Sequence, residues 1–295
     1  MELNYIVTKS DDSIKQILKN KFNMSERFIL KLKKTNGIYI NNVSVPLWFK
    51  IAENDSLKII ENSIEDSEGI LPNPNIDLNI LYEDDFLLIV DKPPFLLVHP
   101  SMSHYTDSLS NAVQYYFEKI DLQKKIRPVN RLDKDTSGIV IFAKNEYIQE
   151  CLVKQMKYNL FKKEYIAFLD GILEKTSGTI SAPISRKPDS IIERCIDFSN
   201  GSLAKTHYKL INTYNNISEV SFILETGRTH QIRLHSKYIG HPIIGDSLYG
   251  STSNLISRQA LHAYKVSFVH PITKNEIVII SDIPDDMKNL KNTSK

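Results

Sequence analysis

The sequence predicts an α+β protein in two parts, a small helix-and-hairpin unit followed by a larger domain built on a mixed, largely antiparallel β-sheet. Three observations lead there. Two short amphipathic helical stripes precede a tight Asn-Asn turn near the N-terminus, an acidic Asn/Pro/Gly-rich stretch ends near residue 77, and beyond residue 138 strand-length apolar or alternating runs dominate. A length of 295 residues exceeds the usual single-domain range of about 100 to 200, which fits two parts.

In SIKQILKNKF, Ile14, Ile17, Leu18 and Phe22 recur at helical spacing, with Asp12 or Ser13 available as the cap. Ser25 can cap the next helix, SERFILKLKK, whose apolar side is Phe28, Ile29 and Leu32 and whose Lys31, Lys33 and Lys34 are expected outside; Asn36-Gly37 stops it. GIYINNVSV reads as a hairpin turning at Asn41-Asn42, because asparagine tolerates the positive φ of a tight turn, and SLKII supplies a closing strand. This unit spans residues 1–62 and carries ten Lys/Arg against seven Asp/Glu. Residues 63–77, within NSIEDSEGILPNPNID, read as a linker.

From residue 78 to about 290, strands are expected in ILYEDDFLLIVDKPP, interrupted at Asp84-Asp85, and in GIVIFA, EYIAFLDGIL, THYKLINTY, SEVSFILE, YKVSFVH and EIVIIS. SLSNAVQYYFEKI and EYIQECLVKQMKYN read as helices between them. No internal repeat is visible.

Composition excludes several classes. The hydrophobic share of 41% and charged share of 24% are those of an ordinary globular protein, and no apolar run reaches the roughly 18 residues of a membrane span. The start, MELNYIVTKSDD, lacks the basic, apolar and small-residue parts of a secretory signal, so a cytoplasmic location is expected. Cys151 and Cys195 stand far apart, outside any zinc spacing, and read as packing thiols.

The chemistry concentrates in RPVNRLDKDTSGIVIFAKN. Asp133, Asp135 and Ser137 with Gly138 match the opening of a calcium loop, but the twelfth position is Lys144 and RPVNRL offers no flanking helix. An aspartyl-phosphate site needs a buried strand ending in the aspartate and further acidic metal ligands, whereas Arg131 sits two residues before Asp133. A lone aspartate held by a nearby cation and by a Thr-Ser-Gly turn fits better, with an aspartate that merely caps a turn as the plain alternative. A second stretch, TGRTHQIRLHSKYIGHPIIGDSLYG, gathers Arg228, His230, Arg233, His235, Lys237 and His241. Arginine and lysine among the histidines disfavour a metal and favour an anion such as an RNA phosphate, unless the stretch is a solvated loop.

RLDKDTSGIVIFAK, KKEYIAFLDG, TGRTHQIRLHSKYIGHPIIGDSLYG and RQALHAYKVSFVHP, in this order and after VDKPPFLLVHP, resemble the motifs of the RluA-type pseudouridine synthases. The resemblance covers about residues 78 to 285 and implies a catalytic domain of pseudouridine-synthase fold. Residues 1–62 resemble the S-four-like RNA-binding domain, although Asn42 stands where that family usually has glycine. By resemblance, Asp133 matches the aspartate that attacks the nucleoside while uracil is detached, and whether it adds to base or sugar stays open. Tyr165 matches the catalytic tyrosine that stacks on the target base and is a candidate to assist the final proton removal, and Arg233 the arginine paired with the catalytic carboxylate. Arg131 matches the residue that fills the space left by the flipped base. Arg228 and His230 are expected substrate contacts, and Leu261 is a candidate for the apolar pocket wall. Asn130 departs from the histidine usual before Arg-Leu-Asp.

The resemblance implies no metal and no dissociable cofactor, because uracil is rejoined to its own sugar through carbon. The expected partner is structured RNA, ribosomal or else transfer RNA, with Lys31, Lys33 and Lys34 making phosphate contacts, no membrane, and a monomeric enzyme. The expectation from another class is a non-catalytic RNA-binding ribosome-assembly factor on the same scaffold. Loss of residues 1–62 is expected to weaken RNA binding more than it harms the catalytic fold.

Overall fold

The computed structural model describes residues 1–9, 11, 13–65, 69–250 and 253–292. The N-terminal unit runs β1 (Glu2–Ile6), α1 (Ile14–Asn20), α2 (Glu26–Lys34), β2 (Ile38–Ile40), β3 (Val43–Ser44) and β4 (Ser56–Ile60). Its antiparallel sheet has the order β1-β4-β2-β3. Ser13 caps α1 by accepting from the Gln16 amide, and Ser25 caps α2 by accepting from Phe28; Asp12, the other candidate cap, lies outside the described residues. Asn36 takes φ 51° after α2, and Asn41 and Asn42 take 50° and 67° between β2 and β3. Asparagine enters that left-handed region readily, so Asn42 serves where glycine is usual. The sequence expectation lacks β1, whose pairing from Glu2↔Ile60 to Ile6↔Ser56 depends on a partner far along the chain.

One expected surface lysine is half-buried and paired. The Lys31 ammonium lies 2.7 Å from Glu65 and 3.2 Å from Glu61, and Arg127 and Lys124 join the same carboxylates at 2.7 and 3.2 Å. Because Lys31 precedes the buried Leu32 and faces these two glutamates, it is committed to them, while Lys33 and Lys34 stay exposed.

The larger part continues with β5 (Asn79–Glu83), β6 (Leu87–Lys92), α3 (Leu109–Lys119), β7 (Ser137–Ala143), α4 (Glu146–Lys157), β8 (Lys162–Asp170), β9 (Ser177–Ser181), β10 (Ile184–Arg186), β11 (Arg194–Ile196), β12 (Lys205–Tyr214), β13 (Ile217–Leu224), α5 (Gln231–Tyr238), β14 (Leu261–Val269), β15 (Glu276–Ile280) and α6 (Asp285–Lys288). The main sheet has the order β5-β6-β7-β14-β8-β13-β12-β9, with β15 also on β14, and β10 and β11 form a separate hairpin. Every pairing in the main sheet is antiparallel except β7 with β14. At that parallel seam Gly138 has φ 112°, and a Cβ there would lie 2.3 Å from the Ala263 carbonyl oxygen, so a side chain would force the strands apart. Close approach here brings the loop before β7 over the start of β14. No described helix is long and apolar enough to cross a membrane.

The two parts share one core. Leu3, Ile17, Phe28, Leu32 and Ile59 pack in the same cluster as Leu87, Ile89, Ile139, Ile141 and Tyr147. Phe28 stacks on Tyr147 with centroids 5.6 Å apart, the Tyr147 hydroxyl donates to the Phe22 carbonyl at 2.9 Å, and Ser25 donates to Glu150 at 2.8 Å. Residues 1–62 are therefore a poor candidate for harmless removal, since their loss would bare Ile89, Ile141 and Tyr147 to water. Phe28→Ala is expected to cost ~3–5 kcal/mol in urea unfolding, in a single transition that includes the large sheet. A separate early transition confined to the small unit would show the parts to be independent.

Glu61 links the parts electrostatically. Burial alone would raise its pKa, but the Ser63 hydroxyl, Lys124 and Lys31 outweigh it and pull the carboxyl to about 2. A folded-state pKa below the unfolded value gives stability that is complete above about pH 4.5 and is lost as pH falls toward 2, at most ~3 kcal/mol. Glu61→Gln should remove this component from the acid-denaturation curve, and an unchanged curve would count against it.

Candidate active site

Asp133 sits on the turn that enters β7. The Thr136 amide donates to the Asp133 carbonyl at 3.1 Å and closes the turn, so Ser137 and Gly138 already belong to the strand instead of the turn expected of Thr-Ser-Gly. Four buried side chains hold this loop. Asn130 donates to the Ile139 carbonyl and accepts from the Ile141 amide, both at 2.9 Å, which spends its amide on β7. Lys92 donates to the carbonyls of Pro93, Leu96 and Lys134 at 2.8, 2.8 and 3.0 Å. Arg258, paired with Asp286 at 2.7 Å, reaches the Asp135 carbonyl at 3.2 Å, and Gln259 donates to the Thr136 hydroxyl at 3.2 Å. Burial pulls the Lys92 ammonium down to about 7, against the opposing pull of Asp135 and Asp133.

α5 brings the cation. Arg233 donates through Nη1 to Asp133 Oδ2 at 3.0 Å, and through Nε and Nη2 to the two oxygens of Asp246 at 2.7 and 2.8 Å. Asp246 is fully buried and also accepts from the amides of Leu248 and Tyr249 at 3.0 and 3.1 Å. Burial opposes both charges, yet the pair holds the Asp246 carboxyl below its usual range and raises Arg233 above its own. The Arg233 guanidinium also lies over the Tyr249 ring, 5.2 Å from its centroid. His230 opens the helix and places Nε2 3.9 Å from Asp133 Oδ2. Asp133 itself keeps 26% side-chain exposure, so a carboxylate anchored on one oxygen faces an open site.

Tyr165 on β8 and Leu261 on β14 are buried in one apolar cluster beside Leu132. Burial and the Asp133 charge raise the Tyr165 phenol well above its ordinary pKa, so it stays protonated through neutral pH. Arg131 is exposed on the same loop as Asp133. Arg228 is exposed as well, but its Nε donates to the Leu203 carbonyl at 3.0 Å and it makes no ion pair with Asp133.

The basic stretch divides once it folds. Its Gln231–Tyr238 part forms a helix and the rest is loop, and His235 is buried with its nitrogens 2.8 Å from the Thr206 hydroxyl and 2.9 Å from the Ala182 carbonyl. His241 faces the Asp170 carbonyl at 2.9 Å and Arg233 is consumed by carboxylates, which leaves Arg228 and Lys237 as its exposed cations. Asp246, Tyr249, Lys92 and Arg258 belong to the site's frame although the candidate residues omit them. Asp246 and Tyr249 lie within the quoted GDSLYG, where a carboxylate shortly after an arginine-rich segment is the available signal.

With this geometry in place, similarity to known proteins becomes specific. A family model described as RNA pseudouridylate synthase matches residues 86–238. An uncharacterized RNA pseudouridine synthase, YjbO, from Bacillus subtilis (strain 168) is 37% identical over 268 residues, covering 90% of this chain and 94% of that protein. Ribosomal large subunit pseudouridine synthase D of Nitrosomonas europaea is 36% identical, covering 82% of this chain and 72% of its own length. The structure of human RNA pseudouridylate synthase domain containing 1 superposes with a TM-score of 0.59 at 25% identity, over 72% of this chain and 85% of that one. The matched span contains both Asp133 and Arg233, and with identities at this level over most of its length, the chain belongs to the RluA-type RNA pseudouridylate synthases.

Proposed function

We propose that this pseudouridine synthase isomerises specific uridines in large-subunit ribosomal RNA, using Asp133 as the nucleophile on a flipped-out uridine. The observation that carries the reading is the Asp246–Arg233–Asp133 chain, in which a buried carboxylate orients the arginine and the arginine fixes one Asp133 oxygen at 3.0 Å. The other oxygen is left for the nucleoside. During the reaction the C1′–N1 bond breaks and a C1′–C5 bond forms; C5 gives up its proton and N1 acquires one, so atoms balance without a redox partner.

Tyr165 and Leu261 are the apolar wall against which the extruded base stacks. A phenol that stays protonated suits stacking and hydrogen donation better than proton removal. Arg131, exposed beside Asp133, suits the gap left in the RNA, where flipping costs a few kcal/mol and is easiest from a loop or weak pair. Lys33 and Lys34 contribute salt-dependent phosphate contacts, and the protein acts as a monomer. A ribosomal target is supported by relatives named for the large ribosomal subunit.

The test is a transcriptome-wide pseudouridine map, by carbodiimide-dependent reverse-transcription stops, in a strain deleted for the gene and complemented with wild-type or Asp133→Asn protein. Sites in large-subunit RNA should vanish on deletion and return only with wild type. Loss confined to transfer RNA would redirect the substrate, and a map unchanged by deletion would favour a non-catalytic assembly factor.

A further inference from the structure

His230 is held more tightly than a surface contact to RNA would require. Its backbone takes φ 56° and ψ 24° at the start of α5, in the left-handed region that a residue with a side chain seldom occupies. The ring is 11% exposed, with Nδ1 2.9 Å from the Tyr249 hydroxyl and Nε2 3.9 Å from Asp133 Oδ2. Tyr249 is buried, and its hydroxyl oxygen accepts the Arg194 amide of β11 at 2.8 Å. A phenol has one proton to give, and the His230 Nδ1 lone pair is the acceptor within reach. That assignment leaves the imidazole proton on Nε2, aimed at the Asp133 carboxylate.

The surroundings keep the ring neutral. Burial lowers its pKa, Asp133 from the catalytic loop and Asp246 from the segment after α5 raise it, and Arg233 of α5 with Arg194 of β11 lower it further. Lys237 of α5 adds positive charge over the Tyr249 ring at 6.0 Å. With a neutral imidazole, the tautomer decides whether Asp133 meets a donor or a lone pair.

We propose that Tyr249 fixes His230 as its Nε2–H tautomer, and that this N–H becomes a second donor to Asp133 Oδ2, beside Arg233, once bound uridine draws the carboxylate in. The gap of 3.9 Å is longer than a hydrogen bond, as such contacts often are before substrate closes the site. With Oδ2 held by two donors, Oδ1 is the oxygen that attacks. His230 is thus a positioning residue for Asp133 and not a ligand of the RNA. The inference rests on Asp133 being the nucleophile.

Two readouts decide it. Long-range proton–nitrogen NMR of the 15N-histidine-labelled protein, with the His230 signal identified by its loss in His230→Ala, should show protonation on Nε2 in the wild type and a tautomer mixture in Tyr249→Phe. In single-turnover assays, Tyr249→Phe and His230→Ala should each slow isomerisation by about tenfold while half-saturation by RNA moves less than about twofold. The double variant should be no slower than His230→Ala alone, because both changes remove one interaction. His230→Gln, which can still donate an N–H, should recover part of the rate. Protonation on Nδ1 in the wild type, additive losses, or weaker RNA binding at an unchanged rate would each overturn the proposal. Activity surviving in Asp133→Asn would instead remove the nucleophile reading, and the NMR result would still report what Tyr249 does to His230.

Discussion

Asp133→Asn is expected to lower isomerisation by at least ~10³-fold while RNA affinity stays within about threefold. Asparagine keeps the size of the side chain and can leave its oxygen toward Arg233, but it removes the charge and nucleophilicity of the other oxygen. Stability should change by less than ~1 kcal/mol, because Asp133 is partly open to solvent and Arg233 retains Asp246 as its bidentate partner. Lost turnover could not then be blamed on lost fold. Release of tritium from RNA labelled at uracil C5 measures the reaction directly, since that hydrogen departs when C5 is joined to the sugar. Full tritium release by the variant would show that another group attacks, and no release by the wild type on any ribosomal RNA would favour the binding-only alternative.

The place of the candidate site was legible from sequence where short segments carry their own geometry. RLDKDTSG places a carboxylate, a turn and a glycine within one short segment, and the structure shows why the glycine is needed, in β7 at its close seam with β14. The pairing of Arg233 in HQIR with this carboxylate was implied by the family resemblance, and the Arg233–Asp133 contact is found at 3.0 Å. The helix that carries it was harder to see. Residues from Gln231 to Ser236 are all buried, polar and apolar alike, and only Lys237 and Tyr238 at its end are exposed, so α5 gives no clean amphipathic stripe to read.

What stayed hidden depends on partners distant in sequence. Nothing local in SERFILKLKK says that Phe28 stacks on Tyr147, or that Lys31 is claimed by Glu61 and Glu65. A lysine on a basic helix reads as solvated until the opposing carboxylates are known. The same holds for Lys92, whose three carbonyl acceptors include one on the Asp133 loop, and for Arg258, which ties that loop to Asp286 in α6. The motifs thus singled out the candidate carboxylate, whereas the frame that orients it depends on tertiary folding.

Asp246 is where that frame should prove most sensitive, although it is fully buried and 13 residues from its arginine partner. Four donors converge on its two oxygens: Arg233 Nε and Nη2 and the amides of Leu248 and Tyr249. Asparagine has the same shape but only one acceptor oxygen, so Asp246→Asn must turn an NH2 toward existing donors and leave the buried guanidinium undercompensated. Breaking one side of such a pair costs ~3–5 kcal/mol. Arg233 would then swing toward Asp133 or toward water, and the oxygen it fixes would lose its direction. Asp246→Asn is expected to lower kcat by ~10²-fold with little change in KM, alongside a clear fall in the urea midpoint. Arg233→Lys supplies the comparison, because one ammonium keeps the charge but cannot bridge both carboxylates. It should show a similar kcat loss with a smaller loss of stability. Wild-type kcat in Asp246→Asn would mean that Arg233 finds its place without the buried carboxylate, and that the chain from Asp246 to Asp133 is structural alone.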